Sequence, residues 1–187
     1  GGIIYNNYLS MGNTGIFCSA TISVDQHFDF FKEQVGIAKL SYDRDINEYI
    51  FESPFFLEDQ LSFYSFRSEL HINSREYIDN ITNQIDEISS FYNKRMLVLC
   101  TSYKQASQLK NSLTPRFKSS DRHLFVHERG RSKNSLIRSF KANSGSVLIG
   151  TLAFWEGIDL PRSELSIVMM LRIPFSNPND PYFNYIS

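Results

Sequence analysis

Ser146–Pro181 reads SVLIGTLAFWEGIDLPRSELSIVMMLRIPFSNPNDP, two apolar runs joined by a polar loop. Val147 to Ile149 leads into Gly150 and Thr151, then into the block Phe154, Trp155, Glu156, Gly157, Ile158 and Asp159; Leu165 to Leu171 is apolar again. Runs of Val, Ile and Leu bounded by Gly and Pro suit strands covered on both faces, as in a parallel sheet. Polar loops at the carboxyl ends of such strands are where α/β proteins bind ligands, so Gly150 to Asp159 is the expected site.

The same strand-then-polar pattern recurs upstream. Met96 to Cys100 reads as a buried strand running into Thr101 and Ser102, followed by a helix from about Tyr103 to Leu113 that Pro115 stops. Leu124 to Val126 is a short strand, and a helix from about Lys133 to Lys141 carries Leu136, Ile137 and Phe140 inward. Ser74 precedes a helical period of Tyr77, Ile78, Ile81, Ile85, Ile88 and Phe91, one buried face of a helix running to about Tyr92. Nearer the start, Ile16 to Thr21 reads as a strand, with Asp25 as N-cap of a helix from Gln26 to Val35. Tyr49 to Phe51 reads as a strand and Ser53 to Phe56 as an extended stretch fixed by Pro54, while Leu57 to His71 carries no clear pattern. Strands alternating with amphipathic helices predict an α/β fold, a three-layer parallel sheet with helices on both faces, in one domain over 1–187. The pattern stops after the NPNDP turn without a closing helix, and a fragment of a longer protein is expected.

Composition bounds the partners. With 19 basic and 20 acidic residues and a net charge of −1, the chain has no global electrostatic footprint for nucleic acid; a local basic patch stays open. Cys18 and Cys100 each sit inside an apolar run, which predicts two buried thiols in a reducing, cytoplasmic setting and not a disulfide or metal framework. No apolar run approaches the roughly 18 to 20 residues of a membrane span.

Three predicted strand ends carry small hydroxyls: Ser19 and Thr21, Thr101 and Ser102, and Thr151. Such groups donate to phosphate oxygens without bulk; each taken alone is more readily a helix cap, whereas the three together with the acidic block favour a shared ligand surface. Glu156 and Asp159, three apart around Gly157, can hold a ribose hydroxyl, a basic side chain or a metal-bound water; core packing of Phe154 and Trp155 with solvated carboxylates is equally open.

Gly150 to Pro181 closely resembles the motif V region of the DinG and XPD group of superfamily 2 DNA helicases, where a FWEG-V/I-D block precedes a strand and a basic, apolar, PF, P, DP tail. Arg172, Ile173, Pro174, Phe175, Pro178, Asp180 and Pro181 match that tail. In order, Ser19-Ala20-Thr21 resembles motif III, Glu52 to Phe55 with Gln60 resembles the SPF segment, and Leu97 to Tyr103 (LVLCTSY) resembles motif IV. The resemblance covers nearly the whole chain and is nearest the bacterial DinG branch; SAT alone is unspecific, whereas FWEGID with its tail is specific. It implies the second RecA-like motor domain, of the P-loop NTPase superfamily, in an ATP-dependent DNA helicase. Single-stranded DNA and the first RecA-like domain are the implied partners, with no membrane. ATP and Mg²⁺ are the cofactors implied for the full-length protein.

Carried over residue by residue, Ser19, Ala20 and Thr21 couple nucleotide state to DNA grip. Thr101, Ser102, Tyr103, Gly150 and Thr151 lie on DNA, with Arg131, Lys133 and Arg172 as further basic contacts. Glu156, Gly157 and Asp159 face the nucleotide cleft. Phe175 and Tyr103 are the candidate base-stacking side chains. Arg129, Arg131, Lys133 and Arg138 form a basic cluster, equally readable as phosphate contacts or a solvated helix face. A metal reading of His123, His127 and Glu128 is disfavoured, because their segment reads as a strand passing into a loop; a surface or structural role is expected.

Two positions depart from the family pattern: Arg162 stands where Gly usually follows Pro161, and His127 stands near a position often held by Gln. The sequence also lacks a Gly-rich loop ending in Gly-Lys-Ser/Thr, an acidic Walker B box and a closing Gln-Gly-Arg-Arg motif. Those parts supply the phosphate cradle, Mg²⁺ ligation and arginine finger of phosphoryl transfer, so the chain alone is expected not to hydrolyse ATP. Cys18 and Cys100 cannot build the four-Cys iron–sulfur module of some relatives. Two further readings stand beside the helicase: a motor-like regulatory or DNA-holding domain of a DinG-like 3'-5' exonuclease, and a non-catalytic RecA-like interaction module. The intact FWEGID block argues against the last.

Overall fold

The computed structural model describes residues 3–12, 14–38, 45–72, 74–161 and 165–174. These fall into two units, one containing the described residues up to Ser65 and the other those from Phe66 onward.

The first unit holds α1 (Ile3–Asn7), α2 (Asp29–Val35) and the single turn α3 (Leu57–Gln60). Its small core gathers Leu9 and Ile37, with Ile4, Phe31, Val35 and Ile46 against them. Gly36, at φ 80°, ends α2 in the left-handed conformation that a residue without Cβ adopts cheaply. Three sequence expectations are corrected in this unit. Ile16 to Thr21 forms no strand, because no neighbouring strand among the described residues offers it a ladder: Ile16 is 90% exposed and Cys18 is an exposed thiol, not a buried one. Asp25 does not cap a helix; Asp25 and Gln26 turn the chain at positive φ between the bridged residues Val24 and His27, and α2 begins only at Asp29. Tyr49 to Phe51 is exposed and unpaired for the same lack of a partner, and Pro54 and Phe55 lie in a bend closed by Phe55 N–H donating to Ser53 Oγ.

In the second unit β1 (Met96–Leu99), β2 (Leu124–Val126), β3 (Val147–Gly150) and β4 (Ile167–Met170) form an all-parallel sheet in the order β2-β3-β1-β4. Alternate residues serve two cores. Met96, Val98, Cys100, Val147 and Ile149 pack on Tyr77, Ile78 and Ile85 of α4 (Arg75–Tyr92) and on Leu109, Leu113 and Phe117 of α5 (Tyr103–Ser119). Leu97, Leu99 and Leu148 face the other way, onto Leu136 and Phe140 of α6 (Lys133–Ala142) and onto Phe154. The expected three layers are therefore present, an α/β arrangement consistent with a RecA-like helicase C-terminal domain.

Three details differ from the sequence reading. Phe91 is 80% exposed, because the buried face of α4 runs through Ile78, Thr82, Ile85 and Ser89 and leaves Phe91 to one side. α5 continues through Pro115 to Ser119: the proline removes one N–H, but the fully buried Phe117 lies beyond it and only packs if the helix goes on. β4 is half-buried on one face alone, through Ile167 and Met169, with Val168 and Met170 each 50% exposed, since no helix among the described residues covers this edge strand on the α6 side. Arg162 and Phe175, together with Pro178, Asp180 and Pro181, lie outside the described residues.

Candidate functional site

The crossover from β1 runs through α5 on one face of the sheet, whereas the loop leaving β3 crosses the other face, where Phe154, Trp155, Ile158 and Leu160 join the α6 core. Neighbouring parallel strands whose connections diverge in this way open a crevice at their carboxyl ends. Here the two strand ends are Thr101, after β1, and the buried Thr151, after β3, joined by Cys100 N–H donating to Gly150 O at 2.9 Å.

Each rim is built by local chemistry. Ser102 is the N-cap of α5, its Oγ accepting from Gln105 N–H at 3.2 Å, so the capping role expected of a lone strand-end Ser is in place here. Thr101 is half-buried and opens on a pocket that it shares with Ser102, Lys104, Gln105, Gln108 and Arg172. Arg172 is set at that pocket by β4 and by Tyr77, whose hydroxyl donates to Leu171 O at 3.1 Å. Burial pushes the Tyr77 phenol pKa up, with Arg172 opposing it.

Gly150 closes β3 where a side chain has no room: a Cβ there would stand 2.5 Å from Phe154 Cβ. The backbone then turns through Leu152–Phe154, with Phe154 N–H on Thr151 O at 2.7 Å, and drops Phe154 into the core. Trp155 Nε1–H reaches back to Cys100 O at 3.4 Å, so the loop is tied to β1 as well. Glu156 and Asp159 are exposed, and Gly157 between them adopts φ +64°, a conformation that L side chains resist.

Thr151 is buried, and its hydroxyl meets His127 Nδ1 at 2.6 Å. His127 directly follows β2, is 6% exposed, and packs against Tyr103 and Phe154 with ring centroids 5.4 and 4.9 Å away. Desolvation, and then the charge of Lys133, hold its pKa below the usual imidazole value. Lys133, the first residue of α6, donates Nζ–H to Glu156 O at 2.8 Å and sits 5.6 Å from the Phe154 ring. Cys100, buried beside them, donates its thiol to Gly150 O at 3.3 Å, and burial pushes its pKa up to about 11. Arg129 lies over Tyr103 at 5.6 Å, while Arg131 is exposed, 3.9 Å from Glu128.

Of the residues singled out in the sequence, Thr101, Ser102, Tyr103, Gly150, Thr151, Lys133, Arg172, Glu156, Gly157 and Asp159 thus belong to one edge of one unit. Ser19, Ala20 and Thr21 belong to the other unit, where Ser19 Oγ lies 3.3 Å from Thr21 Oγ1 and accepts from Thr21 N–H in an exposed turn. His123 and His127 flank β2 at opposite ends, and no group of three metal-ligating side chains gathers among the described residues. The residue whose centrality was missed is His127; its one sequence signal is its place directly after the LFV strand, where the other strand ends carry hydroxyls.

A family model described as a Helicase C-terminal domain matches residues 85–187, more than half of the 187-residue chain, and the chain belongs to that family. It is 27% identical over 185 residues to the 3'-5' exonuclease DinG of Bacillus subtilis, covering 97% of this chain and 19% of that protein. The ATP-dependent DNA helicases YoaA of Haemophilus influenzae and Escherichia coli are 29% and 26% identical, each covering 89% of this chain and 24% of theirs. The chain therefore spans about a fifth to a quarter of the length of these relatives. No helix among the described residues is long and apolar enough to cross a membrane.

Proposed function

We propose that the chain is the second RecA-like motor domain of an ATP-dependent DNA helicase of the DinG type, working in the bacterial cytoplasm. It binds single-stranded DNA at the crevice and forms one wall of an ATP site that the first motor domain of the same protein completes. One observation carries this reading: the parallel pairing of β1 with β4 brings Thr101, Ser102 and Lys104, after β1, and Arg172, after β4, to one pocket at the carboxyl ends of the strands. Hydroxyls and cations of that kind contact a sugar–phosphate backbone without reading bases. Tyr103, 39% exposed beneath Arg129, offers a stacking face beside them. Thr151 and Gly150 support the rim from behind, and Ser19 to Thr21 relay nucleotide state.

The exposed carboxylates Glu156 and Asp159 around the bare Gly157 fit a wall of a nucleotide cleft, where they would accept from a ribose hydroxyl or from water on Mg²⁺. ATP with Mg²⁺ supplies the free energy of translocation when bound between the two motor domains. A phosphate cradle is no part of this sequence, and the isolated chain does not hydrolyse ATP. A second reading, a DNA-holding domain within a 3'-5' exonuclease, is favoured by the name of the Bacillus subtilis relative, and it uses the same DNA surface.

Binding of a fluorescent oligothymidylate to the chain tests this. Thr101→Val with Lys104→Gln weakens binding about tenfold, as loss of two backbone contacts implies; unchanged affinity would remove the assignment.

A further inference from the structure

We propose that His127 is the positioning residue of this surface: through Thr151 and Phe154, and together with Lys133 on the Glu156 carbonyl, it braces the loop after β3 so that the DNA-facing strand ends and the nucleotide-facing carboxylates stand as one body. The inference rests on the DNA-surface reading above and adds to it a residue with no ligand contact of its own.

The geometry is that of a hub. His127 belongs to the end of β2, Thr151 to the end of β3, Tyr103 to the start of α5, Phe154 to the loop and Lys133 to the start of α6; all five meet around one imidazole. At 2.6 Å the His127–Thr151 contact is a short, buried hydrogen bond, the kind whose loss leaves a polar atom without water to replace its partner. Removing the imidazole frees Thr151 to rotate and takes away packing from both Tyr103 and Phe154. The Lys133 clamp fixes the loop at a second point, the Glu156 carbonyl, five residues further on. Gly150, whose α-hydrogen face is filled by Phe154, stands just before the first point, and the short turn Leu152–Phe154 lies between the two. A loop held at both ends in this way transmits displacement; one held at neither end absorbs it.

The charge state matters to the brace. The cation that acts on the ring is Lys133 on α6; Arg129 lies over Tyr103, and Glu128, the next residue, is engaged with Lys110 at 2.7 Å and with Arg131. A protonated imidazole would face the Lys133 charge in a buried setting, so the neutral ring is the one that holds Thr151, and acidification loosens the loop.

The test compares wild type, His127→Ala and His127→Asn, the Asn amide standing about where Nδ1 stands and able to donate or accept. Oligothymidylate affinity is measured at about pH 7.5 and 5.5, with thermal melting as a fold check and the Thr101→Val, Lys104→Gln variant alongside. His127→Ala is expected to bind about tenfold more weakly, and His127→Asn to restore binding to within about twofold of wild type. On going to the lower pH, wild type is expected to lose affinity relative to His127→Asn, a response that a purely packing role would not produce. His127→Asn as weak as His127→Ala, or a wild type to His127→Asn ratio that does not change with pH, overturns the proposal; if His127→Ala fails to fold, the His127→Asn comparison decides alone. Unchanged binding by the Thr101, Lys104 variant would instead overturn the DNA-surface reading, whatever His127 does.

Discussion

His127 Nδ1 and Thr151 Oγ1, 24 residues apart in sequence, meet at 2.6 Å in the interior. The contact exists because β2 and β3 are parallel neighbours with Val126 beside Ile149, which puts His127 beside Gly150 and within reach of Thr151, the next residue. A parallel pair thereby delivers two polar side chains to one buried point at the ligand-binding edge of the sheet.

This pairing makes stability depend on pH. The folded-state pKa of His127 is lowered by burial and, secondarily, by Lys133. Between the unfolded value of about 6.5 and the lower folded value, the unfolded chain binds a proton that the folded chain does not, so stabilisation is full above about pH 6.5 and is lost as pH falls. Melting temperatures at about pH 7.5 and 5.5 should therefore differ more for wild type than for His127→Asn; an equal drop would show that the ring does not titrate on unfolding.

Gly150 is predicted to be intolerant of any side chain. A methyl group there would overlap Phe154 Cβ at 2.5 Å, and backbone or ring must shift. Gly150→Ala should cost roughly 1–3 kcal/mol in denaturant unfolding, as overpacked sites do. Adding Phe154→Leu cannot relieve a clash that begins at Cβ, so the double variant should be no more stable than Gly150→Ala.

The two thiols should differ sharply in reactivity. Cys100 is buried, with its pKa pushed up to about 11, whereas Cys18 is exposed. Only the thiolate alkylates readily. Brief iodoacetamide treatment of the native chain at about pH 8 should therefore label Cys18 alone, with Cys100 reacting only after unfolding; native labelling of Cys100 would contradict the placement of β1.

Pro115 should be a position of stored cost. It sits inside α5 and leaves the Asn111 carbonyl without its helical donor. Pro115→Ala restores that bond and should stabilise the chain by about 1–3 kcal/mol, read from the midpoint of urea unfolding; a loss of stability would mean that the proline shapes a packing contact.

Apart from the carboxyl end of α5, the elements of the sheet unit are legible in the sequence to within about two residues. β1, β2, β3, α4 and α6 declare themselves through apolar runs and 3.6-residue spacing, because both faces of β1 and β3 are buried, β2 is half-buried or better throughout, and little else competes. Where the reading fails, a tertiary partner is what differs. Ile16 to Thr21 and Tyr49 to Phe51 have the composition of strands but no neighbour to pair with, and strand propensity is realised only in a sheet. Pro115 is overruled by the burial of Phe117 beyond it. The strand-end hydroxyls and the capping role of Ser102 are legible locally, yet nothing local shows that Thr151 turns inward or that His127 is what it turns to. Those facts follow from register, which a single chain does not display.

Amide hydrogen exchange in the presence of a saturating oligothymidylate tests the central claim most directly. Protection should rise at 100–104 and 150–153, the carboxyl ends of β1 and β3, and stay unchanged at the opposite edge, around Lys94 and Arg95 and around Asn143 to Gly145. Protection at the opposite edge, or none at either strand end while DNA is bound, would contradict the account.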